Sequence, residues 1–221
     1  MKIRWYGQSA FLLQGKTHSV FTDPFYDTSH MAARGIRFAY PKIRGVHADL
    51  LLITHEHGDH NGQEAIESPG TVIRSTAGTF DTPYGKVVGV NSDHDEAGGS
   101  QRGVNKIYTF EIDGLRVCHM GDIGQAALRP EQRAAIGKVD VLMLPVGAGP
   151  TIGPAKAREI ATLLSPRWII PMHYRTELLD MLELPDPFFD MYERKHRVGG
   201  TEIDLDKAPD TDLLIFDLPR A

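Results

Sequence analysis

Three histidines and one aspartate lie within six consecutive positions, in the run His55-Glu56-His57-Gly58-Asp59-His60. Imidazole nitrogens and carboxylate oxygens are the ligands that suit zinc and similar divalent cations. The run follows the apolar segment 49–54, which is typical of a strand buried on both faces. Alternate side chains of a strand leave opposite faces, so only a tight loop at its end can aim these neighbours at one point, with backbone freedom from Gly58. The run therefore predicts a metal-binding loop rather than a polar surface turn.

Three further candidate ligands follow separate predicted strands. His94 comes after a strand expected to end near Val90, Asp122 follows a strand at 115–120, and His173 follows a strand at 168–171. Taken singly, a histidine or aspartate at a strand end is more commonly a capping or solvated residue. The placement shared by all three predicts instead that they lie at the same edge of the molecule as the loop.

These residues together resemble the metal-binding pattern of the metallo-β-lactamase superfamily, and the resemblance runs over nearly the whole chain. Within the superfamily the sequence looks most like the compact branch of metal-dependent hydrolases related to ascorbate-6-phosphate lactonase. That closer match is carried by four local features: Thr22-Asp23-Pro24; His94-Asp95 followed by Arg102-Gly103; Gly121-Asp122-Ile123-Gly124; and Leu144-Pro145-Val146-Gly147 leading to Pro171-Met172-His173-Tyr174.

The resemblance implies an α/β fold, an αββα sandwich of two mixed β-sheets flanked by helices, with the metal ions at one edge. By position, a first metal would be bound by His55, His57 and His94. A second metal would be bound by Asp59, His60 and His173, and Asp122 would bridge the two. Asp23 is expected to hydrogen-bond the metal loop and orient its ligands, with a plain strand-end cap as the alternative.

The ligand set predicts hydrolysis by a hydroxide that bridges two metal ions about 3.5–4 Å apart. Asp59 or Asp122 would orient the water and accept its proton, so these two are the candidate catalytic residues. The expected substrate is a small ester, lactone or phosphoester. Zinc is the default ion for so many histidines, and manganese or iron fits the same ligands. No serine or cysteine nucleophile is required, and Cys118 is predicted to be a small buried residue.

Three other functions remain open from the sequence. An enzyme of the same fold could cleave RNA or cyclic nucleotides, although no extra nucleic-acid-binding arm is visible. A diiron redox protein is disfavoured, because such proteins typically place a carboxylate where this chain has His57. A non-catalytic metal-binding module is the fourth hypothesis, and the complete ligand set weighs against it.

Several other polar residues are interpreted as structural or solvated. Tyr174 could hydrogen-bond a substrate, with a packed core tyrosine equally plausible, and His119 has no expected role as a ligand. The segment 147–154 is interpreted as an ordinary turn between a strand and a helix rather than a phosphate-binding loop. The residues predicted to be solvated or exposed are Arg34, Arg37, Arg44, His18, His30, His47 and His196, although these three arginines could engage an anionic substrate. Arg102 is interpreted as an exposed arginine or a member of a structural ion pair, with a position near the site as the alternative.

The elements that must position these residues follow from apolar periodicity. Strands are predicted at 2–6, 10–14, 19–22, 49–54, 71–75, 86–90, 107–112, 115–120, 140–146, 168–171 and 213–216. A helix is predicted at 154–164, and helical segments between Arg175 and Arg197. Asp113-Gly114 indicates a hairpin turn. Residues 24–45 show no period and predict an irregular loop near the active site, within one domain over residues 1–221.

Composition limits the classes of partner. The 221-residue chain has a formal net charge of −5 and a pI near 6.0. This disfavours a generic nucleic-acid or anionic-membrane binder, so no stable nucleic-acid partner and no membrane association are expected. One cysteine fits a reducing compartment, and the expected location is the cytoplasm. A small-molecule substrate is expected. The oligomeric state is open, and an exposed sheet edge or the pair Phe188-Phe189 could support a homo-oligomer.

Overall fold

A computed structural model describes residues 1–220 of the chain. The strands are β1 (Lys2–Gly7), β2 (Ala10–Gln14), β3 (Ser19–Thr22), β4 (Leu50–Ile53), β5 (Thr71–Arg74), β6 (Gly78–Thr82), β7 (Gly85–Asp93), β8 (Val104–Ile112), β9 (Leu115–His119), β10 (Val141–Pro145), β11 (Trp168–Met172), β12 (Lys195–Arg197), β13 (Glu202–Asp204) and β14 (Leu213–Ile215). The helices are α1 (Ser29–Ala33), α2 (Pro130–Ile136), α3 (Pro154–Leu164) and α4 (Asp186–Phe189), with short 3-10 turns at Gln63–Ala65 and Leu205–Lys207.

The strands form two mixed sheets. The first has the order β13-β1-β2-β3-β4-β5, in which β3, β4 and β5 run parallel and the remaining pairs are antiparallel. The second has the order β12-β14-β11-β10-β9-β8-β7-β6, parallel from β12 to β9 and antiparallel from β9 to β6. This architecture, with flanking helices, confirms the predicted α/β sandwich.

The strand that precedes the metal loop is buried on both faces, as its apolar run predicts. Leu50 and Leu52 belong to the large core cluster that includes residues of both sheets. Leu51 and Ile53 point the other way and belong to a second cluster with Phe25 and other residues of the segment 24–45. Two opposed apolar cores therefore hold β4, and with it the start of the metal loop, in one position.

Helix α3 covers the second sheet and confirms the predicted helix at 154–164. Its buried residues are Ala157, Ile160, Ala161 and Leu164, whose spacing of three and four residues makes one apolar face. That face packs into the large core, and the helix lies against β10 and α4. Pro154 occupies the first helical turn, where a missing backbone N–H costs nothing.

The segment 24–45 is an ordered cover on the outer face of the first sheet. It contains α1, and its later part pairs with residues 178–180: the Ala39 amide donates to the Leu178 carbonyl at 2.8 Å, and the Arg37 amide donates to Asp180 Oδ1 at 3.0 Å. Closer to the metal loop, the Gly62 amide donates to the Pro24 carbonyl at 2.7 Å. These bonds fix the segment between the metal loop and the chain after β11.

The prediction of helical segments between Arg175 and Arg197 is mostly wrong. Only α4 is helical in that range, and the chain becomes extended again in β12. Pro185 and Pro187 flank the start of α4, and proline limits how far a helix can extend on its N-terminal side. Phe188 and Phe189 are buried in the large core, so this pair offers no exposed surface for self-association, and the expected homo-oligomer stays a prediction.

Five helices and strands are absent from the sequence-based prediction. They are α1, which lies in the expected irregular loop 24–45, and β6, α2, β12 and β13, none longer than seven residues. The short strands carry too few residues to show an alternating pattern, and they are defined by the neighbours they pair with.

Within residues 1–220, no helix has the length and apolarity required to cross a bilayer. The expected single domain over 1–221 stays a prediction, and its last residue lies outside the described part of the chain.

Candidate metal centre

The structure brings all seven predicted ligands to one place. The metal loop, residues 55–60, follows β4 at the end of the first sheet. The other three residues follow strands of the second sheet: His94 follows β7, Asp122 follows β9 after a turn at Gly121, and His173 follows β11. Strand β7 extends to Asp93, three residues past the expected end at Val90, because Asn91, Ser92 and Asp93 continue to pair with β8.

The first group of ring nitrogens belongs to His55, His57 and His94. One ligand atom from each lies within 4.8 Å of the others. His57 Nδ1 and His94 Nε2 face each other at 3.1 Å, and the rings of His55 and His94 are nearly perpendicular with centroids 4.8 Å apart. Three imidazole nitrogens that converge from two sheets are a donor set that could hold a divalent cation.

The second group consists of Asp59, His60 and His173, whose ligand atoms also lie within 4.8 Å of one another. His60 Nε2 lies 3.5 Å from Asp59 Oδ2. His173 occupies a left-handed backbone conformation, with φ of +52°, directly after the end of β11. This strained turn directs the residue after a fully buried strand back to the same edge.

The Asp122 carboxylate lies between the two groups. Its Oδ2 is 3.0 Å from His173 Nε2, 3.3 Å from His94 Nε2 and 3.8 Å from His55 Nε2. Its Oδ1 is 3.3 Å from His60 Nε2. One carboxylate thus contacts ring nitrogens from both groups, as expected of a residue that bridges two cations.

Buried atoms of this cluster without hydrogen-bond partners test whether the residues fit metal ions. Among residues 1–220, His55 Nε2, His60 Nε2 and Asp122 Oδ1 are buried and have no hydrogen-bond partner. Leaving a buried polar atom unpaired costs about 1–3 kcal/mol, so a fold rarely retains three in one place without a ligand. Lone pairs directed at a common point from neutral imidazoles and a carboxylate are the donor set of a divalent transition metal, and the residues fit it.

The charges within the cluster are strongly coupled. Burial alone would raise the pKa of Asp122, but His173 and His60 outweigh it and hold the pKa of this carboxyl well below its usual range. Burial would lower the pKa of His60, and Asp122 and Asp59 raise it well above its ordinary value. For His55, burial and then the neighbouring His60 lower the pKa well below the ordinary value. Asp122 therefore stays a carboxylate, and His55 stays a neutral donor.

Asp23 orients two of the ligands, as the sequence suggested. Its Oδ2 accepts a hydrogen bond from His60 Nδ1 at 2.9 Å, which leaves His60 Nε2 to face the centre. The same carboxylate accepts the Thr54 amide and the Thr54 hydroxyl, each at 2.7 Å. That hydroxyl already donates to Asp23, so it accepts a hydrogen bond from His55 Nδ1 at 3.0 Å. Asp23 also lies near the ligand atoms of His55 and His60, but these bonds occupy both of its oxygens.

Gln8 contacts a candidate ligand and was not predicted from the sequence. It is buried in the turn between β1 and β2, with φ of +51°, and its Nε2 donates to Asp59 Oδ2 at 2.9 Å. The Trp5 indole N–H donates to the Gln8 carbonyl at 3.0 Å and secures the turn. The only sequence signal is Gly7-Gln8-Ser9, which indicates a turn but not its partner.

Asn105 and His119 were also missed, and both hold the turn that carries Asp122. Asn105 Oδ1 accepts the Asp122 amide at 3.0 Å, and its Nδ2 donates to the Met120 carbonyl at 2.8 Å. His119 Nδ1 accepts the Gly121 amide and its Nε2 donates to the Ser9 carbonyl, each at 3.1 Å. His119 is therefore a neutral imidazole with no role as a ligand, as expected, and it links the two turns that carry Gln8 and Asp122.

The loop after β10 positions His94 from the other side. The Pro150 carbonyl accepts a hydrogen bond from His94 Nδ1 at 3.0 Å, so His94 Nε2 faces the centre. Directly after His94, the Asp95 carboxylate accepts four backbone N–H groups of residues 97–102. Burial raises the pKa of Asp95, but the four donors outweigh it and lower the pKa below its ordinary value. This carboxylate fixes the loop between β7 and β8 against the centre.

A cleft of about 270 Å³ opens onto the ligands. Besides ligand residues it is lined by His30, Met31, Arg34, Ile36, Glu56, Gly58, Arg102, Pro150 and Met181. Arg34, Arg102 and His30 are exposed side chains, as predicted, but all three border the cleft. Arg37 and Arg44 do not line it.

Tyr174 and Cys118 take no part in the cleft. Tyr174 is buried among aromatic residues, with ring centroids 5.8 Å from Trp5 and 5.7 Å from Phe189. Of the two readings of Tyr174, the packed core tyrosine is therefore the one the structure supports. Cys118 is fully buried, and burial raises the pKa of its thiol to about 12, which agrees with a structural residue.

Comparison with known proteins gives consistent matches over most of the chain. A family model described as "Beta-lactamase superfamily domain" matches residues 2–173. A metal-dependent hydrolase of Thermus thermophilus is 33% identical over 201 residues, covering 80% of this chain and 84% of the relative. One of Thermococcus kodakarensis is 32% identical over 203 residues, covering 80% and 85%. A crystal structure of a metallo-β-lactamase superfamily protein from Thermotoga maritima is 33% identical, with a TM-score of 0.78 and 97% of each chain covered.

Proposed function

The chain belongs to the beta-lactamase superfamily, and from this premise we propose that it hydrolyses a small ester, lactone or phosphoester with two divalent metal ions. The ions would be held by the seven residues of the metal centre: His55, His57 and His94 for one, Asp59, His60 and His173 for the other, and Asp122 for both. Zinc is the ion we propose first, with manganese or iron as alternatives for the same donors.

The observation that carries this proposal is the position of Asp122. Its carboxylate is buried and lies within 3.0–3.8 Å of ring nitrogens from both groups of ligands. Without cations the centre leaves unpaired buried donors and acceptors. The curated relatives named above as metal-dependent hydrolases support the same assignment.

Two bound ions would lower the pKa of a water molecule between them and polarise a carbonyl or phosphoryl oxygen of the substrate. Asp59 lines the cleft, and its contacts with Gln8 and His60 are both made by Oδ2. We propose that Asp59 Oδ1 orients the attacking water and takes its proton. Asp122 is held as a carboxylate by its histidine neighbours, and it would help to orient this water toward a substrate in the cleft.

The cleft favours a small substrate over a polynucleotide. Its volume of about 270 Å³ lies at the lower end of small-molecule sites. The metal loop, the loop after β10 and the covering segment 24–45 all contribute residues that line it. We therefore place the cleavable ester or phosphoester of a single small molecule against the metal centre.

The experiment that tests the function couples metal analysis to a substrate screen. Purified protein is analysed for bound metals, then loaded with zinc or manganese and assayed with lactone, phosphodiester and thioester substrates. We expect two metal ions per chain and turnover of at least one class. Asp122→Ala should abolish this turnover and lower the metal content, with the far-ultraviolet circular dichroism unchanged.

Asp81→Ala is the matched control, because Asp81 is an exposed carboxylate on β6 that lines no part of this cleft. It should retain full turnover and metal content. If the wild type turns over none of the substrate classes faster than Asp122→Ala does, the hydrolase proposal is wrong. If active enzyme holds one metal ion per chain, the two-metal proposal is wrong and the hydrolase proposal stands.

A further inference from the structure

Two arginines from separate parts of the chain border the same cleft. Arg34 caps the C-terminal end of α1, and Arg102 lies in the loop between β7 and β8. A guanidinium group is charged at every physiological pH and presents several N–H donors in a plane, which suits carboxylate and phosphate groups. Within residues 1–220, neither guanidinium lies within 4.0 Å of a carboxylate, so both are available to a ligand.

The carboxylates around the cleft are already engaged. Glu56 forms a 2.6 Å ion pair with Arg74, and Asp95 accepts four backbone amides. Next to this loop, Arg129 pairs with Asp93 and Lys156 pairs with Glu96. Asp59 and Asp122 belong to the metal centre and would be neutralised by the cations there. The carboxylates at the cleft therefore already have partners, whereas the guanidinium groups of Arg34 and Arg102 have no carboxylate partner.

Both arginines are held by their backbones at fixed positions relative to the metal centre. The Arg102 amide donates to Asp95 Oδ2 at 2.8 Å, and the His94 amide donates to the Gly103 carbonyl at 3.1 Å, so the residue is tied to a metal ligand. The Arg34 amide donates to the Met31 carbonyl at 3.0 Å, and Met31 is itself buried and lines the cleft. Both arginines therefore lie in segments that backbone hydrogen bonds hold in place.

Apolar residues also line this cleft. They are Met31, Ile36, Pro150 and Met181, beside His30, Glu56 and Gly58. A ligand in the cleft would therefore meet cationic, apolar and candidate metal-binding side chains within one volume of about 270 Å³.

We propose that the substrate carries an anionic group, a carboxylate or a phosphate, apart from the bond that is cleaved, and that Arg34 and Arg102 bind this group. This inference rests on the proposed hydrolytic function and names the substrate class of that site. It replaces the interpretation of these two arginines as solvated residues, and it leaves that interpretation in place for Arg37, which lies in the same segment but does not line the cleft.

The test separates binding from hydrolysis with two matched sets of probes. The first set comprises tetrahydrofurfuryl alcohol, tetrahydrofuran-2-carboxylate and tetrahydrofurfuryl phosphate, which contain no lactone and report binding by calorimetry on metal-loaded protein. The second set comprises γ-butyrolactones that carry at C5 a hydroxymethyl, a carboxylate or a phosphoryloxymethyl group, and reports kcat/KM. Both sets are measured on the wild type, Arg34→Gln, Arg102→Gln and the control Arg37→Gln.

For the wild type we expect the preferred anion, either tetrahydrofuran-2-carboxylate or tetrahydrofurfuryl phosphate, to bind at least about tenfold more tightly than the neutral tetrahydrofurfuryl alcohol. The reason is that hydrogen bonds between charged groups are stronger than those between neutral groups. Arg34→Gln and Arg102→Gln should each remove about tenfold of that preference and leave the neutral probe within twofold. Arg37→Gln should match the wild type. The comparison of carboxylate with phosphate identifies which anion the cleft takes.

Equal binding of charged and neutral probes, or equal loss in Arg37→Gln, would overturn the proposal. Metal content is measured in every variant, because a loss of binding that follows a loss of metal would also overturn it. If anionic probes bind through both arginines but no lactone is hydrolysed, the substrate charge is established and hydrolysis of lactones is not. If lactones are hydrolysed without regard to charge, the hydrolytic function stands and this inference fails.

Discussion

The Gln8 side-chain amide donates a 2.9 Å hydrogen bond to Asp59 Oδ2, and the two residues are 51 positions apart in the chain. Both are buried, and the bond joins the turn between β1 and β2 to the metal loop after β4. A carboxylate that binds a metal through one oxygen needs its orientation fixed by a partner. Gln8 supplies that partner, and among the proposed ligands in the described chain its side chain hydrogen-bonds only Asp59.

Gln8→Ala should weaken metal binding at the group that contains Asp59. Partners of metal ligands typically contribute about 10–100-fold to metal affinity, and we expect a loss in that range. Competition with a chromogenic chelator measures it, and the first metal equivalent should remain bound more tightly than the second. Gln14→Ala is the control, because Gln14 is exposed at the end of β2. Equal affinity in Gln8→Ala and the wild type would disprove the positioning role.

Gly121→Ala should disturb the turn that carries Asp122. Gly121 has φ of +53°, and an added Cβ would lie 2.2 Å from Asn105 Oδ1 and 2.8 Å from the Thr54 side chain. Because Asn105 holds the Asp122 amide, we expect a loss of about 1–3 kcal/mol in unfolding free energy together with weaker metal binding. Urea denaturation and metal titration measure the two effects.

Gly200→Ala serves as the control for this substitution. A Cβ at Gly200 meets no atom of the described chain within 4 Å, and its φ lies outside the left-handed region. Its stability should differ from the wild type by less than about 0.5 kcal/mol. If Gly121→Ala is as stable and binds metal as well as Gly200→Ala, the turn does not constrain Asp122.

Metal addition should stabilise protein that has been stripped with a chelator. Cations would satisfy the unpaired buried nitrogens of His55 and His60, and a ligand at 100 times its Kd stabilises the folded state by about 2.7 kcal/mol. For a chain of this size that corresponds to a rise in Tm of about 5–10 °C. Scanning calorimetry with zinc, manganese or ferrous iron measures the shift.

Asp122→Asn should show a smaller rise in Tm at the same metal concentration, because the amide is a poorer ligand and cannot neutralise two cations. Asp81→Ala should behave as the wild type. The absence of any stabilisation by all three metals would contradict the assignment of the seven residues as ligands.

The ion pair between Glu56 and Arg74 should give an acid-dependent contribution to stability. Arg74 donates to both Glu56 oxygens, and this interaction is the main reason that the pKa of Glu56 falls from its ordinary 4.5 to about 2. A lowered folded-state pKa stabilises the protein above pH 4.5, and that stabilisation is lost as the pH falls from 4.5 to 2. Both side chains are substantially exposed, so we expect less than about 1 kcal/mol.

Arg74→Gln should therefore be slightly less stable than the wild type at pH 7, and the difference should shrink between pH 4.5 and pH 2. Urea denaturation at a series of pH values measures it. Arg133→Gln, which removes an exposed charge from α2 that is engaged in no ion pair in the described structure, should show no such pH-dependent difference. A difference for Arg74→Gln that is constant with pH would exclude Glu56 as its origin.

Local sequence pattern was sufficient to predict elements whose apolar residues form a pattern and the loop in which metal-binding residue types cluster. The apolar run before His55 predicted β4, because burial on both faces requires consecutive apolar residues. Helix α3 followed from apolar spacing of three and four residues after Pro154. The types of the candidate ligands followed from three histidines and an aspartate in one short loop, since so dense a set of donors is rare without a metal.

Short and isolated features could not be predicted in the same way. Strand β12 has three residues and helix α4 has four, which is too short for their patterns to repeat. Their conformations depend on packing against β14 and α3. The range 175–197 looked helical because its residue types are compatible with helices, and its prolines and tertiary contacts decided otherwise.

The sequence by itself thus implied the fold class through its resemblance to the metallo-β-lactamase superfamily. It also determined the residue types gathered after the strand ends, because clustering is a local property of the chain. Only the tertiary structure decided that Gln8 and Asn105 support Asp59 and Asp122, and that Arg34 and Arg102 border the cleft while Arg37 does not. Each of these is a single polar residue with no repeat around it. Its partner is set by the order in which the sheets bring distant loops together, and that order is a property of the folded chain.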